Sequence, residues 1–293
     1  MTPNKTPHDF AVAYRIYPKI SKVPPAFPKD KLALSELCLR SFVRSYGSLR
    51  PKFYAILDKC PPEYEQLFRK YVAKEDLEIL HLTGVGNAET FGLQVKLLQK
   101  QNCSDVVYFA EDDYYYLPGG FEHMVQMVKT QPDCHFATPY DHKDYYSLEI
   151  HNNLREVRHV HGRHWQTVGT TCMTFMTTKA VLARAAEVLL TYAKGNTDVG
   201  MWSSLTKLRL DDFSNDKSAR AQETLPYVMG AWQYCFQQVM TGERYKLWSP
   251  MPSLATHMEN RFLSPGFDWE AIFQRDIAAA AVPPGESRNH SAL

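Results

Sequence analysis

The sequence predicts an α/β protein, Rossmann-like, with a mainly parallel central sheet flanked by helices. Two observations carry this. Across residues 10–110, short β-rich apolar runs alternate with stretches at helical spacing, giving strand, helix, strand, helix, strand, helix, strand. That alternation is the pattern of βαβ units. The fourth strand, residues 106–110 (VVYFA), is apolar throughout, as a parallel strand covered on both faces must be.

The elements follow in order. Residues 10–17 (FAVAYRIY) read as the first strand. Residues 18–31 are rich in Pro and Lys and form a loop. Residues 32–46 repeat Leu34, Leu37, Cys38, Ser41 and Phe42 at helical spacing. Residues 52–57 (KFYAIL) form a second strand ending at Asp58. Pro61-Pro62 open a helix over 63–72, since proline suits a first turn. A third strand at 78–82, a loop at 84–87 and an amphipathic helix at 90–101 complete the first third. Beyond the fourth strand come a helix at 119–129, a strand at 134–138, an aromatic loop at 140–146 and a hairpin within 149–160. The Thr-rich run 170–177 suits a strand. Helices are expected at 179–192, 198–208 and 225–240, then a strand and loop at 249–257.

Composition narrows the function classes. The 293 residues are 44% hydrophobic and 22% charged, ordinary for a chain with its own core. With 33 basic and 32 acidic side chains the formal charge is +1, which argues against a nucleic-acid partner. Six scattered cysteines without a CxxC read as reduced thiols. No apolar signal core and no run of roughly 18–20 apolar residues is present. The expectation is a cytoplasmic protein without a membrane span, peripheral attachment being left open.

The sharpest chemical feature is Glu111-Asp112-Asp113, three carboxylates directly after the apolar fourth strand. Adjacent like charges need a cation or solvent beside them, and hard divalent cations prefer such oxygens. A plainer alternative is an acidic turn capping the helix at 119–129. Ligands of open α/β sheets bind beyond the carboxyl ends of the strands. Asp58, Gly86-Asn87 and the acidic triplet all follow strand ends.

The segment FAEDDYYYLPGGFEHM resembles the acidic signature of GT-A fold nucleotide-sugar glycosyltransferases, in an E-D-D form of the D-x-D motif. Other segments are similar in the same order. AYRIYPKI resembles the first strand and nucleotide loop, YAILDKCPPEY the second-strand segment, and GVGNAETF the Gly-Asn loop that approaches the nucleotide. The resemblance spans about residues 10–270 and is nearest to family-2-like enzymes. It implies a GT-A domain at 10–277, with a nucleotide-binding half at 10–118 and a smaller, mixed acceptor-binding half at 119–277. A flexible N-terminus at 1–9 and a disordered tail at 278–293 would flank it.

The resemblance further implies a nucleotide-diphosphate sugar donor of UDP or GDP type, with Mn²⁺ or Mg²⁺. Asp113 would bind the metal, and Asp112 and Glu111 would hold metal and donor. Asp58 would recognise the nucleoside, unless it caps the following helix. His257, in THMEN ahead of LSPGFDW, is similar to the late histidine that completes the metal site. Arg261 and Arg15, the latter beside Tyr17, could pair with the diphosphate, and Asn87 would line the nucleotide. Lys96 is an equally surface-like candidate. Asp198, in NTDVGMW, resembles the acid that serves as general base in inverting enzymes. It departs from that pattern in standing alone beside Thr197, and a helix N-cap is its alternative role. A retaining enzyme would not need it.

The segment HVHGRHW places His159 and His161 on one strand face with His164 nearby. With no Cys or acid close by, zinc is disfavoured. His164, Trp165 and Thr170 are instead candidates for the acceptor site, as are the tyrosines of 114–116 and 145–146. The function expected is sugar transfer, hexosyl or pentosyl, to a hydroxyl of a glycan or lipid-linked acceptor. A nucleotidyltransferase is the nearest alternative, but the loop YPKISKVPPAFPK lacks the glycines that class carries. An inactive nucleotide-sugar binder is the other. No GxxxxGK[ST] is present, which excludes a P-loop enzyme.

Overall fold

The structure is a computed structural model and describes residues 8–208, 210 and 219–281. β1 (Phe10–Ile16), β2 (Pro51–Asp58), β3 (Leu77–Leu82) and β4 (Val106–Glu111) pair in parallel in the order β3-β2-β1-β4. The helices between them are α1 (Lys31–Ser45), α2 (Pro62–Tyr71) and α3 (Asn87–Lys100). Alternation along β1 explains the layers. Phe10, Val12 and Tyr14 pack with Phe42 and Phe68 on the α1–α2 side. Ala11 and Ala13 pack with Phe91 and Val95 of α3 on the other. Every residue of β1 is buried, as expected of a central parallel strand.

The sheet continues past β4 without a break. β9 (Phe175–Thr178) joins β4 antiparallel, followed by β6 (Phe136–Ala137), β10 (Leu247–Met251), β8 (Arg163–Val168) and β7 (Val157–Val160). Of these nine strands, only β8 and β9 run against the other seven. The chain is therefore α/β with a mainly parallel sheet flanked by helices, mixed in its second half. A separate ribbon pairs β5 (Tyr114–Tyr116) with β11 (Ala255–His257). The later helices are α4 (Gly120–Thr130), α5 (Lys179–Leu189), α6 (Asp198–Thr206), α7 (Ala219–Thr241) and α8 (Trp269–Ala281).

Several expectations shift. The Thr-rich strand shortens to β9, because Thr170, Thr171 and Thr174 are buried in the turn before it. The first part of 149–160 holds a 3-10 turn, Glu149–His151, and only β7 pairs as a hairpin with β8. The tyrosine run 114–116 is a strand rather than an open aromatic surface, all three residues being buried. α8 extends to Ala281, four residues into the segment expected to be a tail. The rest of that tail and residues 1–7 lie outside the described residues.

Candidate active site

A cavity of about 620 Å³ opens at the carboxyl ends of β1 and β4, where the strand order reverses. The residues after β1 (Tyr17, Lys19, Lys22), the start of α1 (Lys31), Asp58, Gly86-Asn87 and Glu111 to Asp113 line it. The three carboxylates reach it in different states. Glu111 accepts from Arg15 Nη2 at 2.6 Å and from Thr174 Oγ1 at 3.1 Å. Asp112 accepts from Lys31 Nζ at 2.8 Å and from the Tyr17 backbone amide at 3.2 Å. Burial pushes the Asp112 carboxyl above its ordinary range, against the pull of Lys31 and with the help of Asp113. For Lys31, burial works against the charge, but Asp112 and Asp113 outweigh it and hold the ammonium protonated.

Asp113 is the open member. Its Oδ2 lies 3.2 Å from His257 Nε2, while its Oδ1 is buried without a partner among the described residues. Burial alone would raise its pKa; His257 beside it, and Lys31 and Lys22 further off, outweigh burial and hold it below the usual carboxylate range. The β5–β11 ribbon sets this contact, pairing His257 with Tyr114, and the Met258 amide donates to the Asp113 carbonyl at 2.7 Å. His257 Nδ1 is likewise buried and unpartnered among the described residues. Among those residues no set of three or more His, Cys, Asp or Glu side chains is gathered for a metal ion. Asp113 and His257 therefore offer two ligands, a hard oxygen and an imidazole nitrogen. That donor set suits Mn²⁺ or Mg²⁺ completed by phosphate and water.

Glu111, Asp112 and Asp113 do not cap the next helix. β5 intervenes, and the residue before α4 is Gly119, in the left-handed region at φ 73° with no side-chain cap. Asp58 does not cap the following helix. The residue before α2 is Pro61, with no side-chain cap. Both Asp58 oxygens accept backbone amides, from Gly84 at 2.7 Å, Val85 at 2.9 Å and Gly86 at 2.8 Å. The carboxylate folds the loop ahead of α3 and lines the cavity while doing so.

Arg15 lies beneath the acidic triplet. It is buried, and its guanidinium is committed to Glu111, the Asn87 carbonyl at 2.6 Å and Thr90 Oγ1 at 3.3 Å. It braces the acidic triplet from the cavity wall. The Asn87 side chain donates to the Tyr192 hydroxyl at 2.7 Å. Tyr17 is partly exposed at the cavity.

Asp198 is not the helix N-cap. Thr197 fills that position, its hydroxyl accepting from the Gly200 amide at 2.9 Å. Asp198 follows as the first helical residue, accepting from the backbone amide of its neighbour Val199 at 2.8 Å. Burial raises its pKa above the ordinary carboxylate range, with Glu111 adding to the rise and Lys22 opposing it. A carboxyl so raised fits a proton acceptor.

Neither Asp198 nor the remaining candidates are among the residues that line the cavity. Arg261 is 76% exposed on a 3-10 turn and pairs with Glu259. Lys96 is exposed along α3. Trp165 is buried in the core beneath the β7–β8 hairpin and presents no open ring. Thr170 is buried, its carbonyl accepting the Tyr145 hydroxyl at 2.6 Å. His164 faces outward opposite His159, ring centroids 5.1 Å apart. His161 sits in the hairpin turn at φ 49°, so the strand alternation proposed for His159 and His161 ends there. Sequence reasoning missed Lys22, Lys31 and Thr174. For the two lysines a signal existed, since a Lys- and Pro-rich loop leaving the first strand must cross the ligand end of the sheet.

No protein-family model matches this chain, and no curated protein matches it. Among solved structures it is similar to a candidate nucleotide-diphospho-sugar transferase of Desulfovibrio desulfuricans G20, at 9% identity over 78% of this chain and 98% of that one, TM-score 0.39. It is also similar to residues 1–349 of S. aureus TarS, at 10% identity over 77% of this chain and 72% of that one, TM-score 0.38. The TarS complex with UDP-GlcNAc gives 9% identity over 77% and 73%, TM-score 0.44. Likenesses this distant carry nothing about activity, which has to be read from the site itself.

Proposed function

We propose that this chain is a GT-A type glycosyltransferase, family-2-like, moving a sugar from a nucleotide-diphosphate donor to an acceptor hydroxyl with inversion. The observation that carries the reading is the contact at 3.2 Å between His257, from β11, and Asp113, which follows β4 and lines the 620 Å³ cavity. Two residues far apart in sequence converge there, one with a buried oxygen and the other with a buried nitrogen lacking protein partners. Such orphaned groups are rare in folded proteins and ask for a ligand.

In this reading Asp113 and His257 would hold Mn²⁺ or Mg²⁺, which would supply positive charge against the negative charge growing on the departing diphosphate. Glu111, braced by Arg15 and Thr174, and Asp112, braced by Lys31, keep the corner rigid and face the donor. The Gly84–Gly86 loop, folded by Asp58, and the Asn87 backbone form the nucleoside wall. Asp198 removes the proton from the acceptor hydroxyl as its oxygen attacks the anomeric carbon; that bond forms as the bond to the diphosphate oxygen breaks. UDP and GDP sugars are the donors favoured, and a glycan or lipid-linked acceptor the class of partner.

The test is thermal unfolding with a panel of nucleoside diphosphates, with and without Mn²⁺. A ligand that binds only the folded chain raises the midpoint. One nucleotide should stabilise the protein only with metal present, and Asp113→Ala should lose that effect. If no nucleotide moves the midpoint with any metal, the reading is wrong.

A further inference from the structure

Four cationic side chains line the cavity, and they are not equivalent. Arg15 is held by Glu111 at 2.6 Å and Lys31 by Asp112 at 2.8 Å. Among the described residues, Lys19 and Lys22 have no ion pair with a carboxylate. Lys22 stands apart by what it touches. Its Nζ lies 3.4 Å from His257 Nε2, the same nitrogen that is 3.2 Å from Asp113 Oδ2. One imidazole nitrogen cannot donate to Asp113 and accept from Lys22 at once. The ammonium therefore sits against an atom already claimed by Asp113, and its charge is felt by both Asp113 and Asp198.

The surroundings allow the side chain to move while the backbone stays. Lys22 is exposed, with three donors on a flexible stem. The loop carrying it has no glycine, and Pro18, Pro24, Pro25 and Pro28 restrict its backbone. Pro24 and Ala26 are buried, and the Val23 carbonyl accepts from the Asn260 amide at 3.1 Å. This pins the residue next to Lys22 to the segment that follows His257.

We infer that Lys22 is a movable counter-charge that lies on the Asp113–His257 corner when no donor is bound and turns to the diphosphate oxygens when one arrives. The inference rests on the nucleotide-sugar reading and adds a donor-binding residue that reading does not need. On its stem Lys22 leaves a place without a carboxylate partner for the diphosphate oxygens, and its departure removes a positive charge from beside Asp113 and His257. The free protein should thus resist a bare divalent cation and accept it together with diphosphate.

The experiment uses the full chain and two probes, MnCl₂ alone, followed by the resonance of free Mn²⁺, and inorganic pyrophosphate at saturating Mn²⁺, followed by calorimetry. Lys22→Gln should bind Mn²⁺ alone about threefold tighter than the parent, the scale of one exposed charge interaction. The same variant should bind pyrophosphate about fivefold more weakly, a charge-assisted contact being lost. Lys22→Arg, which keeps the charge, should restore the pyrophosphate affinity. If Lys22→Gln binds Mn²⁺ no tighter, or pyrophosphate as well as the parent does, while Asp113→Asn abolishes both, the donor reading stands and this inference falls. If the parent binds neither probe, both fall.

Discussion

Asp198 and Asp113 are carboxylates of the same region in opposite electrostatic states. Asp113 is stabilised as an anion by His257 and two lysines, whereas at Asp198 burial raises the pKa over the opposing pull of the Val199 amide and Lys22. The sign for Asp198 follows from linkage. A carboxyl whose folded pKa lies above its unfolded value contributes stability while protonated, and loses that contribution as pH rises through the folded pKa. At neutral pH its ionised form therefore costs stability, which suits a base held ready for a proton. Asp198→Asn is expected to lower kcat by about 10²- to 10⁴-fold and to raise the melting temperature at pH 7 but not at pH 3. The parent's acid limb in kcat/KM should have its midpoint above the ordinary carboxylate range. Melting curves at the two pH values and a pH–rate profile check this; an unchanged kcat removes Asp198 from the mechanism.

At the scale of elements, the β5–β11 ribbon matters most, because it alone brings His257 to Asp113. The ribbon is clamped from outside by α8. Asp276, whose side chain is 5% exposed, bonds Arg44 through both oxygens at 2.6 Å, Arg40 at 3.2 Å and the Tyr115 hydroxyl at 3.0 Å. Tyr115 lies opposite Thr256, one residue from His257. Asp276→Asn should cost about 2 to 3 kcal/mol, below the usual cost of breaking a buried pair because Arg44 is still 42% exposed. It should also shrink the Mn²⁺-dependent stabilisation without touching either proposed ligand. Urea melts with and without Mn²⁺ check both, and a variant as stable as the parent would show that α8 is not a clamp.

At the scale of the molecule, the segments 10–118 and 119–277 share one sheet. β4 takes its outer partner, β9, from beyond residue 118, and β5 takes β11. A fragment of residues 10–118 would expose the β4 edge and leave Tyr114 to Tyr116 uncovered, an aggregation-prone edge. The full chain should unfold in one calorimetric transition whose van't Hoff and calorimetric enthalpies agree, and the fragment should show none. A cooperative transition in the fragment would make the halves independent domains.

The sequence by itself determined the parallel half. Each strand and helix from Phe10 to Glu111 is a local pattern, because a buried parallel strand and an amphipathic helix write their burial into consecutive residues. It also put Asp58, Asn87 and the acidic triplet at the ligand end of the sheet. Tertiary structure decided what each carboxylate does. Which of Glu111, Asp112 and Asp113 stays open depends on Arg15, Lys31 and His257, whose approach no local period encodes. It also buried Trp165 in the core and bound Arg15 to Glu111, since burial and partners are set by elements far along the chain. Residue types name the chemistry a chain can perform; long-range packing settles which of them is left free to perform it.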